Sequence, residues 1–141
     1  MASPSREDYL EAIWILARDH GYARVSDVAK RLGISVASVS KMVRRLDEAG
    51  YLRYERYRGL ALTPHGEGAG RRLAARHALL EDFLRLLGVA DAARVYETVE
   101  GIEHYVDADT LFGIETLLGL AAAHPEWWAR YQENLARRHA P

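Results

Sequence analysis

Residues 26–63 read SDVAKRLGISVASVSKMVRRLDEAGYLRYERYRGLALT, and this stretch decides the fold. Ser26 is placed to cap a short helix through Leu32, Gly33-Ile34 to make a turn, and Ser35 to cap a further helix reaching Ala49-Gly50. Serine suits these positions because its oxygen accepts from the free N–H groups of a helix's first turn. In the helix after Ser35, Val39, Met42, Val43 and Leu46 share one face, while Ala37, Lys41 and Arg44 point the opposite way with Ser40 on the flank. One side is built to pack, the other is free to dock. From Tyr51 to Thr63 aromatic, basic and aliphatic residues alternate, and Arg58-Gly59 suits a tight turn, so the segment reads as a β-hairpin.

Upstream, Pro4-Ser5 followed by Arg6-Glu7-Asp8 signals a helix start, with Ser5 as N-cap and Asp8 at the third position of a capping box. Leu10, Ile13, Trp14 and Ala17 would form its buried stripe, and Gly21 ends it. Downstream, helical composition resumes at Pro64, with Leu80, Phe83, Leu84 and Leu87 marking the buried stripe of a long helix that stops near Gly88. Further helices are expected over Asp91 to about Val106, Thr110 to Ala123, and Pro125 to Arg138. Trp127, Trp128, Tyr131 and Leu135 form a stripe that reads as core or dimer contact. The expected fold is mainly α with a small β-hairpin wing: a winged helix-turn-helix over residues 1–63, a connecting helix over 64–87 and a helical domain over 88–141.

The chain has 141 residues, 49% of them hydrophobic and 28% charged, and no cysteine. That excludes disulfides and thiolate chemistry, and no apolar run nears the roughly 18 residues of a membrane span. No apolar signal core follows Met1, so a cytoplasmic location is expected. The net charge of −1 is a cancellation: residues 1–76 carry +5 and residues 77–141 carry −6. Nine basic side chains, seven of them arginines, stand against four acidic ones between Arg24 and Arg58. Arginine forks suit phosphate. The N-terminal half of the helix after Ser35 is therefore the expected major-groove element, with Val36, Ala37, Ser40 and Lys41 as base readers and Arg44, Tyr54, Tyr57 and Arg58 as phosphate contacts.

In the acidic half, Glu100, Glu103 and His104 stand at i, i+3 and i+4, one face of a helix if it continues through them. Such an arrangement suits a cation but also occurs on solvated faces. The other candidates are His77, with Glu81 four residues on, and Asp8 with Glu11 on the outward side of the first helix. Asp8 reads equally as a cap and Glu11 as a surface charge. His20, His65, His124 and His139 are not expected ligands. The inverted zincin pattern needs His where Glu100 stands, the paired Glu-x-x-His motifs of di-metal carboxylate enzymes are missing, and no phosphate loop or nucleophile elbow is found. The chain reads as a binder, not an enzyme.

Taken together, Pro4-Ser5 with Asp8-Tyr9 and Glu11, Gly21 to Asp27, Lys41-Met42-Val43, Tyr57 to Leu60, Arg76-His77 and Val99 to His104 resemble the manganese transport regulators. These are a short branch of the diphtheria toxin repressor superfamily of metal-dependent winged-helix repressors. The resemblance implies a homodimer, a C-terminal metal-binding and dimerisation domain without an SH3-like extension, and repression of metal-uptake genes when Mn²⁺ is bound to operator-binding protein. It implies two Mn²⁺ per subunit, held by Asp8, Glu11, His77, Glu100, Glu103 and His104. Glu100 and Glu103 would bridge the ions, Glu11 and His77 completing one site and Asp8 and His104 the other. Oxygen and nitrogen donors alone favour Mn²⁺, with Fe²⁺, Co²⁺, Cd²⁺ or Zn²⁺ as substitutes. Positions Ser35, Val36 and Ala37 depart from the pattern, which leaves the operator sequence open. Two rivals remain: a winged-helix dimer regulated by an organic ligand or not at all, its acidic helices structural, and a metal buffer without DNA function.

Overall fold

Ser5 starts α1 (Arg6–His20) as its side chain would lead one to expect: Asp8 N–H donates to Ser5 Oγ at 3.2 Å and Ser5 N–H donates to Asp8 Oδ2 at 2.6 Å. The computed structural model describes residues 3–55 and 57–141; Met1, Ala2 and Arg56, the last within the expected hairpin, lie outside the described residues. The chain divides into two compact units, Met1–Ala74 and Ala75–Pro141.

The first unit holds α1, α2 (Val25–Leu32), α3 (Val36–Glu48), the strands β1 (Leu52–Glu55) and β2 (Gly59–Leu62), and the start of α4 (Pro64–Leu87). Ser35 caps α3 by accepting from Ser38 N–H, and Val39, Val43 and Leu46 are buried with Met42 partly covered. These side chains join Tyr9, Leu10, Ile13 and Leu16 of α1, Val28 and Ala29 of α2, and Leu52 and Leu60 of the hairpin in one core.

Three local expectations need correction. Ser26 does not cap α2; the Arg24 carbonyl accepts from Asp27 and Val28 N–H at 3.0 Å, so the helix begins at Val25. The cause is non-local, because Leu60 N–H donates to the Ala23 carbonyl at 2.8 Å and holds Ala23 extended just before the helix. The hairpin turn takes in Arg58, whose N–H donates to the Glu55 carbonyl at 3.1 Å, but not Gly59. Glu55 pairs with Gly59, and Gly59 opens β2 with φ +98°. A Cβ on Gly59 would sit 2.6 Å from the Ala23 carbonyl oxygen, which is why glycine stands there. In α1, Trp14 and Ala17 are only half-buried while Tyr9, Ala12 and Leu16 are buried. Trp14 covers Gly70 of α4, where an added Cβ would come within 2.5 Å of the Trp14 Cβ.

The second unit holds the rest of α4, α5 (Ala92–Ile102), a 3-10 turn (Glu103–Tyr105), α6 (Ala108–Ala123) and α7 (Pro125–His139). Asp91 caps α5 and Asp107 caps α6 through their side-chain oxygens. Leu80 and Leu84 of α4 pack with Val95 and Val99 of α5 and Ile114 of α6, Phe83 lies partly covered against them, and Leu87 is exposed at the helix end. On α7, Tyr131 donates its hydroxyl hydrogen to the Leu87 carbonyl at 2.9 Å and stacks on Trp128, whereas Trp127 remains exposed. Among the described residues no helix is long and apolar enough to cross a membrane.

Candidate functional site

Two apolar stripes in the second unit run into polar residues. His77 precedes Leu80 and Leu84 by three and seven positions on α4, so it lies on their face, and its side chain is largely covered. Glu103 follows Val95 and Val99 at four-residue steps and is turned fully inward, with 0% exposure. A carboxylate occupies a position where the spacing calls for another valine. The α-helix does not continue to Val106 as expected: it ends at Ile102, and Glu103 to Tyr105 tighten into the 3-10 turn. Glu103 is thereby buried while Glu100 and His104 stay partly exposed, so the three do not form one uniform helical face.

His77 Nε2 donates to Glu81 Oε1 at 2.9 Å, while His77 Nδ1 lies 3.0 Å from Glu103 Oε2 and 3.6 Å from Glu100 Oε1. His104 Nε2 is 3.9 Å from Glu103 Oε1, and Arg76 Nη2 donates to His104 Nδ1 at 3.4 Å. His77, Glu100 and Glu103 each offer a ligand atom within 4.8 Å of the others, as do Glu103 and His104. Glu103 Oε1 is fully buried and accepts no hydrogen bond among the described residues. Leaving a buried charged oxygen without a donor is costly, and an all-oxygen-and-nitrogen donor set around it fits a hard divalent cation.

Asp8 and Glu11 lie on α1 of the first unit. Asp8 Oδ2 serves the capping box. Glu11, expected on an outward face, is 9% exposed, and a covered carboxylate requires compensation that a surface one does not. Glu81 contacts His77 at the i, i+4 spacing visible in the sequence, which alone assigned it no role in the site. Arg76, likewise unassigned, has no comparable spacing cue.

In the first unit, Val36, Ala37, Lys41 and Arg44 are exposed on α3, and Ser40 is partly so. Ser35 Oγ is engaged as the cap, 2.9 Å from Ser38 Oγ. On the wing, Tyr54 is exposed and its N–H donates to Asp47 Oδ2, Tyr57 projects with 92% exposure and φ +76°, and Arg58 Nη1 lies a loose 3.9 Å from Glu55. Helix and wing thus present polar, cationic and aromatic side chains of the kind that meets a nucleic-acid duplex.

Residues 1–60 match the family model described as iron dependent repressor, N-terminal DNA binding domain, and residues 63–126 match that of the metal binding and dimerisation domain. An HTH-type transcriptional regulator MntR from Lysinibacillus sphaericus is 50% identical over 126 residues, covering 89% of this chain and 90% of the relative. The chain belongs to the MntR branch of the iron-dependent repressor family. A crystal structure of T. acidophilum IdeR resembles this MntR-branch chain with a TM-score of 0.77 and 26% identity, over 84% of this chain and 56% of that one. A manganese-dependent transcriptional repressor in complex with manganese gives 0.72 and 29%, over 82% and 53%. The MntR-branch chain therefore spans little more than half the length of these solved chains. The match to the DNA-binding model lies within the first unit, and the match to the metal binding and dimerisation model runs from residue 63 into the second.

Proposed function

We propose that the chain is a manganese-responsive, DNA-binding transcriptional repressor acting in the cytoplasm as a homodimer on metal-uptake genes. The observation that carries the metal part is the buried, hydrogen-bond-poor Oε1 of Glu103 beside Glu100 and the His77 ring. Two Mn²⁺ per subunit are the proposed complement, with Asp8, Glu11, His77, Glu100, Glu103 and His104 as ligands and Fe²⁺, Co²⁺, Cd²⁺ or Zn²⁺ as substitutes. Supporting this set are the covered carboxylate of Glu11 and the absence of any sulfur donor from it. A bound divalent ion supplies the positive charge that offsets this carboxylate cluster and ties its ligands together. Metal binding is proposed to order the reading helices, which in a dimer must lie about one DNA turn apart. Ordering them beforehand removes a cost otherwise met on binding DNA.

Base contacts are assigned to Val36, Ala37, Ser40 and Lys41, with Ser35 setting the start of α3, and phosphate contacts to Arg44, Tyr54, Tyr57 and Arg58. Dimerisation is assigned to the second unit, where Tyr96, Tyr105, Phe112 and Leu120 are exposed; a second copy would cover apolar side chains that are otherwise costly in water. The test is duplex binding by fluorescence anisotropy, with DNA selected from random sequence, in Mn²⁺, Fe²⁺, Zn²⁺ and chelator in turn. Tightest binding in Mn²⁺ is expected; equal binding in all four refutes the proposal.

A further inference from the structure

His77 is held from both sides. Its Nδ1 faces the Glu100–Glu103 pair, and its Nε2 donates to Glu81 Oε1 at 2.9 Å, one helical turn along α4. Glu81 is itself anchored, because Arg85 Nη2 donates to Glu81 Oε2 at 3.1 Å, a further turn along the same helix. The two oxygens of Glu81 thus have separate partners, which orient its carboxylate and, through it, the imidazole. An imidazole that ligates an ion through one nitrogen presents the other N–H outward, and the acceptor of that hydrogen selects the tautomer and the ring orientation.

We propose that Glu81 is a positioning residue for the metal centre: it holds His77 by Nε2 so that Nδ1 is the nitrogen directed at the Glu100–Glu103 carboxylates. This rests on the metal reading above. Glu81 acts through His77 and Arg85 steadies Glu81, forming a chain of three side chains on one face of α4. Neighbouring Asp82 faces Arg85 at 3.6 Å and is mostly exposed, so it supplies a control for charge alone.

The experiment measures Mn²⁺ affinity by calorimetric titration of the full chain and of Glu81→Ala, Glu81→Gln and Asp82→Ala, with the visible spectrum of each Co²⁺-loaded protein alongside. Glu81→Ala is expected to weaken Mn²⁺ binding by about 10–100-fold and to alter the Co²⁺ bands. Glu81→Gln, whose amide oxygen still accepts from Nε2, is expected to recover most of the affinity and the wild-type bands. Asp82→Ala should match the wild-type chain. Unchanged affinity in Glu81→Ala, beside normal binding by the wild-type chain, overturns the proposal. So does a loss in Glu81→Gln as large as in Glu81→Ala, which would make the charge or direct ligation the cause. Absence of Mn²⁺ uptake by the wild-type chain overturns the metal reading itself, and this inference with it.

Discussion

Glu103→Gln separates a metal ligand from a structural ion pair. The substitution keeps the shape and one acceptor but removes the charge of a side chain with 0% exposure. In the metal-free protein one oxygen is hydrogen-bonded with His77 at 3.0 Å, and the other has no hydrogen-bond partner among the described residues. Losing a charge-assisted bond costs roughly 1.5–3 kcal/mol, and relieving a buried charge returns several. The two oppose each other, so metal-free stability should move by no more than about 2 kcal/mol. With Mn²⁺ at a hundred times its dissociation constant, the wild-type chain gains about 2.7 kcal/mol from each ion bound. In a chain of this size that is a rise of about 5–10 °C in midpoint. If the variant's affinity falls about 100-fold, the same Mn²⁺ gives about 0.4 kcal/mol, or roughly 1 °C. Thermal melts followed by circular dichroism, with Mn²⁺ and with chelator, read both quantities. A full metal-induced rise in Glu103→Gln would remove Glu103 from the site. A metal-free loss of about 3–5 kcal/mol would instead mark a structural ion pair.

Lys41→Ala should weaken operator binding by about 1–3 kcal/mol if Lys41 reads a base, with no change in Mn²⁺ titration; a shifted titration would place Lys41 elsewhere. Gly59→Ala sets a side chain at φ +98° with its Cβ 2.6 Å from the Ala23 carbonyl oxygen, and should cost about 2 kcal/mol or more in urea unfolding. The Thr110 hydroxyl and then the Thr110 N–H hold the Asp107 carboxyl below its usual range. Its contribution is therefore complete above the unfolded value of about 3.9 and is lost as pH falls through the lower folded one. Melting midpoints of wild type and Asp107→Asn should differ near neutral pH and converge in acid; a constant gap would contradict this.

Local chemistry was legible wherever a few neighbouring residues decide the conformation. Ser5 and Ser35 cap the helices they precede, Gly21 ends α1, and the α3 stripe of Val39, Val43 and Leu46 is buried with Lys41 and Arg44 outside. What escaped depends on partners distant in sequence. The Ala23–Leu60 bridge moves the start of α2 away from Ser26 and gives Gly59 a strand position rather than a turn. At the candidate site the spacing of Glu100, Glu103 and His104 was visible, but its geometry was not. Glu103 continues the Val95–Val99 stripe inward, and a hydropathy pattern reads any carboxylate as an exposed position. The role of Glu81 became apparent only once both ring nitrogens of His77 had partners.

The central claim is that metal occupancy and DNA affinity are coupled, and thermodynamic linkage makes that coupling reciprocal. The most direct test is calorimetric titration of Mn²⁺ into the free protein and into its complex with the selected operator duplex. The account predicts that Mn²⁺ binds the complex more tightly, by about 5–150-fold, and that operator affinity rises between chelator and saturating Mn²⁺ by the product of these factors over the ions bound. Equal Mn²⁺ affinity with and without operator would contradict it.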